Sequence, residues 1–161
     1  MMTQAPPIEF LRPLLVGSLT IALTMLIHSL AVLAIVNFVR QRLRSGRVGL
    51  GFWSDTTIVM LTTFFALLAH VTEISLWAAM FIVCGEFQSF GLSFYHSAVN
   101  YTTLGYGDII MGAWRLLGPL EAADGMLMFG LSTAMIFIVV QRLVEIRFPE
   151  LGSWARSTSA D

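Results

Sequence analysis

Residues 102–108 read Thr-Thr-Leu-Gly-Tyr-Gly-Asp, and this heptad decides how the rest of the chain is interpreted. Gly105 and Gly107 can adopt positive φ at little steric cost, because glycine has no Cβ atom. A segment that alternates them with Leu104 and Tyr106 can turn successive carbonyl groups toward one side, which an ordinary strand does not do. The heptad therefore predicts a column of backbone oxygens.

Such a column can replace the hydration shell of a cation. The heptad resembles the selectivity filter of pore-loop potassium channels, and the resemblance implies that K⁺ is bound by Thr103, Leu104, Gly105, Tyr106 and Gly107. It also implies that the Thr103 hydroxyl adds the innermost ligand. The alternative is a Gly-Tyr-Gly turn in a loop. Seven residues in register, between two apolar spans and after a short amphipathic segment, favour the filter.

The composition indicates a membrane protein. Of the 161 residues, 57% are apolar and 12% are charged, which leaves too few charges to cover a globule of this size. Three apolar segments are long enough to cross a bilayer, whereas the aromatic stretch before the heptad is too short. We therefore predict an all-α membrane protein with three transmembrane helices, a re-entrant pore helix and a filter.

The predicted organisation has five parts, and the resemblance to channels covers about residues 55–145. The parts are an outer N-terminal segment (1–13), an additional transmembrane helix (14–39), an arginine-rich cytoplasmic loop (40–54), a pore domain (55–145) and a short cytoplasmic tail (146–161). Within the pore domain we expect an outer helix (55–84), the pore helix and filter (86–108), an outer linker (109–118) and an inner helix (119–145).

Arginines set the predicted orientation. Arg40, Arg42, Arg44 and Arg47 follow the first apolar segment, and positive charge marks the cytoplasmic side of a membrane. The N-terminus is then outside and the C-terminus cytoplasmic, in a multi-pass protein of the cell membrane. The irregular spacing of these arginines, outside the apolar run, does not suit a voltage sensor.

One filter strand cannot surround an ion, so we expect a homotetramer with membrane lipid as its other partner. Gly130, in the predicted inner helix, is a candidate gate hinge; the alternative is that it lets helices pack closely.

The sequence shows no pattern typical of an enzyme: no nucleophile–base pair, phosphate loop or cysteine cluster is evident. The sequence thus predicts bound and transported K⁺, no enzyme activity, no organic cofactor, no nucleic acid partner and no soluble ligand-binding domain. A weakly selective cation channel and a non-conducting regulatory subunit of a larger transporter remain as alternatives.

Three ionisable residues fall in the predicted membrane helices: His28 in the first, and His70 and Glu73 in the second. Charges at that depth are costly, and residues three apart share a helical face. One interpretation is a hydrogen-bonded cluster that fixes how the additional helix docks. The other is a proton-sensitive gate. Two histidines and one carboxylate without wider ligand spacing do not predict a metal site.

The residues that support the filter depart from the family pattern. In the family a tryptophan twelve residues before the filter aspartate commonly holds it, and in some members a glutamate nine residues before does so as well. Those positions here are His96 and Val99, so we predict that His96 donates to Asp108 and has a raised pKa. The alternative is that His96 is a packed aromatic ring. Glu121 and Asp124 are expected to open the inner helix, where they suit the helix dipole or form acidic rings with Asp108.

Overall fold

The computed structural model describes residues 10–45 and 51–150. This part of the chain contains four helices, α1 (Leu11–Arg44), α2 (Phe52–Val83), α3 (Phe90–Tyr101) and α4 (Leu117–Arg147). By length and composition, α1, α2 and α4 can each cross a membrane. With 12 residues, α3 is only about 18 Å long, too short to do so. The predicted fold class, a helical membrane protein with three spanning helices, is confirmed.

The arginine-rich segment differs from the prediction. Arg40, Arg42 and Arg44 lie in the last turns of α1 and not in a loop. Arginine is a good helix former, and cations near a helix C-terminus interact favourably with the helix dipole, which explains why the helix continues through them. Arg47 lies outside the described residues, as do most of the predicted N-terminal segment and tail.

The chain forms two compact units. Among the described residues, the filter unit comprises residues 10–29 and 68–130, and the second unit comprises residues 30–45, 51–67 and 131–150. Trp77 and Phe81 are fully buried in the core of the filter unit. The core of the second unit is aliphatic, and its buried members are Ile35, Val39, Ile58, Ala66, Met135, Val139 and Leu143.

Within the filter unit, α1 buries a stripe of polar residues and exposes several of its leucines. Thr20, Thr24 and His28 are at most 1% exposed, whereas Leu15 and Leu19 are at least 60% exposed. The three buried residues are spaced by four, so they form one stripe along the helix. This arrangement suits a lipid environment, where polar groups must find partners inside the protein.

Two serines attach α3 to α2. The Ser93 hydroxyl donates to the carbonyl of Ala78 (2.7 Å), and the Ser97 hydroxyl donates to the carbonyl of Ile74 (2.9 Å). Because a step of four residues forward on α3 matches a step of four backward on α2, the two helices run antiparallel. The two bonds satisfy buried hydroxyls and fix the position of α3 along α2.

Gly125 allows α4 to approach the end of α3. A Cβ atom built at Gly125 would lie 2.0 Å from the carbonyl oxygen of Tyr101, a distance that no side chain could occupy. A Cβ atom at Gly130 meets nothing within 4 Å among the residues that the structure describes. Within the chain, close packing therefore requires Gly125, while the role of Gly130 as a hinge stays a prediction.

These two glycines make a matched pair of variants on one helix. Gly125→Ala should lower the free energy of unfolding by about 1–3 kcal/mol or more, because α3 must move to admit the methyl group. Gly130→Ala should be neutral, or stabilising by up to about 1 kcal/mol, since alanine favours the helix. Thermal unfolding of the purified protein in detergent measures both. Equal midpoints for the two variants would contradict the close approach.

Candidate functional site

The backbone of residues 103–107 alternates between two conformations. Thr103, Gly105 and Gly107 have φ of 61°, 55° and 71°, whereas Leu104 and Tyr106 between them do not have positive φ. This alternation is the one that turns neighbouring carbonyls to the same side. At Thr103, which carries a Cβ, left-handed backbone costs roughly 1–2 kcal/mol, so the surrounding structure has to hold it.

The C-terminal end of α3 provides that hold. The Thr103 N–H donates to the carbonyl of Asn100 (2.8 Å), and the Gly105 N–H donates to the carbonyl of Val99 (3.2 Å). The last carbonyls of a helix have no partner inside it. Here Thr103 and Gly105 supply the missing donors, and we call the stretch 102–108 that contains them the filter segment. The filter segment is thus fixed to α3 by backbone bonds.

Glu86, just after α2, ties down the loop that follows the filter segment. Its two carboxylate oxygens accept the backbone N–H groups of Gly112 and Trp114, each at 3.1 Å. Charge-assisted bonds of this kind are stronger than neutral ones. Sequence reasoning missed Glu86, because its partners are backbone groups that carry no mark in the sequence.

Asp108 is bonded to Tyr95 and not to His96. The Tyr95 hydroxyl donates to the Asp108 carboxylate (2.9 Å), while His96 Nε2 lies 2.9 Å from the side-chain amide nitrogen of Asn100. His96 is 6% exposed, with its ring 5.3 Å from that of Phe81 and 5.0 Å from that of Phe87. Neighbouring residues on a helix point about 100° apart, so only one of the two can face Asp108.

The pKa of His96 also departs from the prediction. Burial lowers it below the ordinary value, and the carboxylates of Asp108 and Glu86 offset part of the shift. A neutral imidazole can accept from the side-chain NH2 group of Asn100, which can only donate. Since the folded state favours the neutral form, acidification through the ordinary pKa of about 6.5 should weaken the packing of His96. This is the reverse of a brace that strengthens at acidic pH.

The structure brings His28, His70 and Glu73 together. His28 Nδ1 lies 2.9 Å from Glu73 Oε1, and His70 Nδ1 lies 3.3 Å from Glu73 Oε2. Tyr101 joins them: its hydroxyl donates to Glu73 Oε2 and lies 3.2 Å from His70 Nδ1. The four side chains come from α1, α2 and α3 and are at most 4% exposed. We call these four residues the His–Glu cluster.

Sequence reasoning did not identify Tyr101 as a member of this cluster, although its position immediately before the heptad indicated a role beside the filter. It is the last residue of α3 and immediately precedes the filter segment. The His–Glu cluster therefore includes the residue that immediately precedes residues 102–108. Its bonds link α1 to the end of the helix that positions the filter segment.

Glu121 and Asp124 do not form acidic rings, because both are buried. They are at most 1% exposed, and α4 begins at Leu117, which places them beyond its first turn. Asp124 accepts from Trp77 Nε1 (2.9 Å) and from the Thr24 hydroxyl (2.8 Å). These bonds connect α4 to α2 and to α1.

Glu121 is hydrogen-bonded to Ser97, whose hydroxyl also reaches the carbonyl of Ile74. The Ser97 hydroxyl therefore connects Glu121 on α4 to the backbone of α2. A buried carboxylate needs such a partner, because an unbonded polar group is costly at this depth.

A family model described as an ion channel matches residues 69–142, from the second half of α2 through α3 and the filter segment into α4. We call this matched stretch, residues 69–142, the channel domain. No curated protein and no solved structure matches the chain. The channel domain contains His70, Glu73 and Tyr101, whereas α1, which supplies Thr24 and His28, lies outside it.

Recordings of ionic current can test the hydrogen bond between Tyr95 and Asp108. Tyr95→Phe should speed the decay of ionic current roughly 3- to 10-fold, because a hydrogen bond to a charged acceptor is lost at the end of the filter segment. His96→Phe keeps an aromatic ring beside Phe81 and Phe87 and should leave the decay unchanged. Current recordings from planar bilayers measure both. A faster decay in the His96 variant alone would restore the interpretation in which His96 supports the filter.

Proposed function

We propose that four copies of this chain form a potassium-selective channel that conducts K⁺ passively across the membrane. Thr103, Leu104, Gly105, Tyr106 and Gly107 form its selectivity filter. The observation that carries the proposal is the alternating backbone of residues 103–107. An ion that gives up its water needs several oxygens at once, and aligned carbonyls supply them without any charged side chain.

The exposure of the filter segment supports a tetramer. All residues from Thr102 to Asp108 are exposed in the single chain, and Leu104 and Tyr106 are 59% and 66% exposed. A pocket of about 360 Å³ beside this segment is lined in part by Gly105 and Gly107. Fourfold symmetry would place four such segments around one axis and cover these apolar side chains with neighbouring copies.

Two alternatives differ from this proposal in what they predict for purified protein. A weakly selective cation channel would pass Na⁺ about as well as K⁺. A regulatory subunit of a larger transporter would pass neither ion by itself. The complete Gly-Tyr-Gly-Asp sequence of residues 105–108 favours a potassium-selective channel over both alternatives.

Gly105→Ala tests the filter directly. A side chain at φ of 55° is strained, so the carbonyl column should distort, and the K⁺/Na⁺ permeability ratio should fall toward one while the oligomer persists. Gly91→Ala is the matched control, because a Cβ there meets only the Ser89 hydroxyl, at 3.9 Å. Ion flux from liposomes that contain this protein alone gives the ratio. Equal K⁺ and Na⁺ permeation through the unmodified protein would refute the proposal.

We further propose that the N-terminus faces outward and the C-terminus faces the cytoplasm. The arginines at the end of α1 support this orientation, because positive charge concentrates on the cytoplasmic side. Three membrane crossings, one for each candidate span, would put the two termini on opposite sides.

Cysteine labelling tests the orientation. With Cys84 replaced by serine, an impermeant thiol reagent applied to intact cells should label a Thr3→Cys variant and spare a Ser159→Cys variant, since only the N-terminus is exposed outside. Permeabilised cells serve as the control, in which both variants should react. The opposite labelling of intact cells would overturn the proposed topology.

A further inference from the structure

The His–Glu cluster contains three potential metal ligands at close spacing. His28, His70 and Glu73 each offer one ligand atom, and these atoms lie within 4.8 Å of one another. Both histidines direct Nδ1 at the same carboxylate, at 2.9 and 3.3 Å. Two of the three ligands lie three residues apart on one face of α2, and the third comes from α1.

These distances suit a tetrahedral ion. Bonds of about 2.0–2.1 Å to nitrogen and oxygen place neighbouring ligand atoms about 3.3 Å apart in a tetrahedron. Two imidazole nitrogens with one carboxylate form a ligand set that suits zinc and the neighbouring first-row dications. A dication could therefore replace the protons between His28, His70 and Glu73 with small side-chain movements.

Tyr101 acts on the cluster as a positioning residue. Its hydroxyl donates to Glu73 Oε2 and fixes the carboxylate that would bind the ion. Outer partners of this kind orient metal ligands and raise their affinity.

We propose that His28, His70 and Glu73 bind one zinc-type dication per chain. The ion would fasten α1, which lies outside the channel domain, to α2, and through Tyr101 it would reach the end of α3. This site does not depend on potassium conduction, and zinc binding and ion flux are measured separately, so either proposal can fail while the other holds.

The experiment loads the ion during expression, because ligands that are at most 4% exposed exchange slowly. The full chain, without a polyhistidine tag, is produced in zinc-supplemented medium and passed through chelator-treated size exclusion. Elemental analysis should find about one zinc per chain. His28→Gln and Glu73→Gln should lose it. His96→Gln, which alters the remaining histidine of the chain, should retain it.

Two further measurements keep the test decisive. Tyr101→Phe should retain the site with about 10- to 100-fold weaker affinity in competition with a chelator. Protein produced with Co²⁺ should show the visible absorption of a tetrahedral cobalt site, a readout that needs no variant and does not fail if a variant misfolds. Absence of these bands, zinc below a tenth of an equivalent in the unmodified protein, or equal zinc in the His28 and Glu73 variants would each overturn the proposal.

Discussion

Left-handed backbone at Thr103 is the constraint on which the rest of the filter unit depends. A β-branched residue at φ of 61° is unfavourable, so it persists because the carbonyls of Asn100 and Val99 hold the segment from the end of α3. The position of α3 is therefore decisive. Ser93 and Ser97 fix the position of α3 along α2, and the hydrogen bond of Tyr101 to Glu73 holds the C-terminal end of α3.

Hydrogen bonds between polar side chains hold several of these helices together. This is expected in a membrane, because lipid removes the hydrophobic driving force for helices to associate. Glu73 and Asp124 each accept bonds from two other helices or more, and each has a partner on α1. A buried polar group is costly only if it lacks a partner, so these carboxylates favour one arrangement of helices over alternatives. These two carboxylates thereby bond the additional helix α1 to the channel domain.

The sequence predicted the elements better than their contacts. The residue types and the lengths of the apolar segments were enough to predict three spanning helices, because a helix needs about 20 apolar residues to cross a bilayer. The grouping of His28 with His70 and Glu73 could also be anticipated, since charges at that depth need partners. The choice of Tyr95 over His96 as the partner of Asp108 could not, because it depends on how α3 is rotated about its axis. Burial of Glu121 likewise depends on where α4 begins.

The most direct test of this account is a structure of the purified protein in K⁺, determined at a resolution that shows ions. The account predicts a fourfold assembly with a row of ion densities on its axis, each coordinated by carbonyl oxygens of Thr103, Leu104, Gly105 or Tyr106 from all four copies. Replacing K⁺ with Na⁺ should remove or rearrange these densities. A monomeric or twofold assembly, or a fourfold one whose axis at residues 103–107 holds no ion in K⁺, would contradict it.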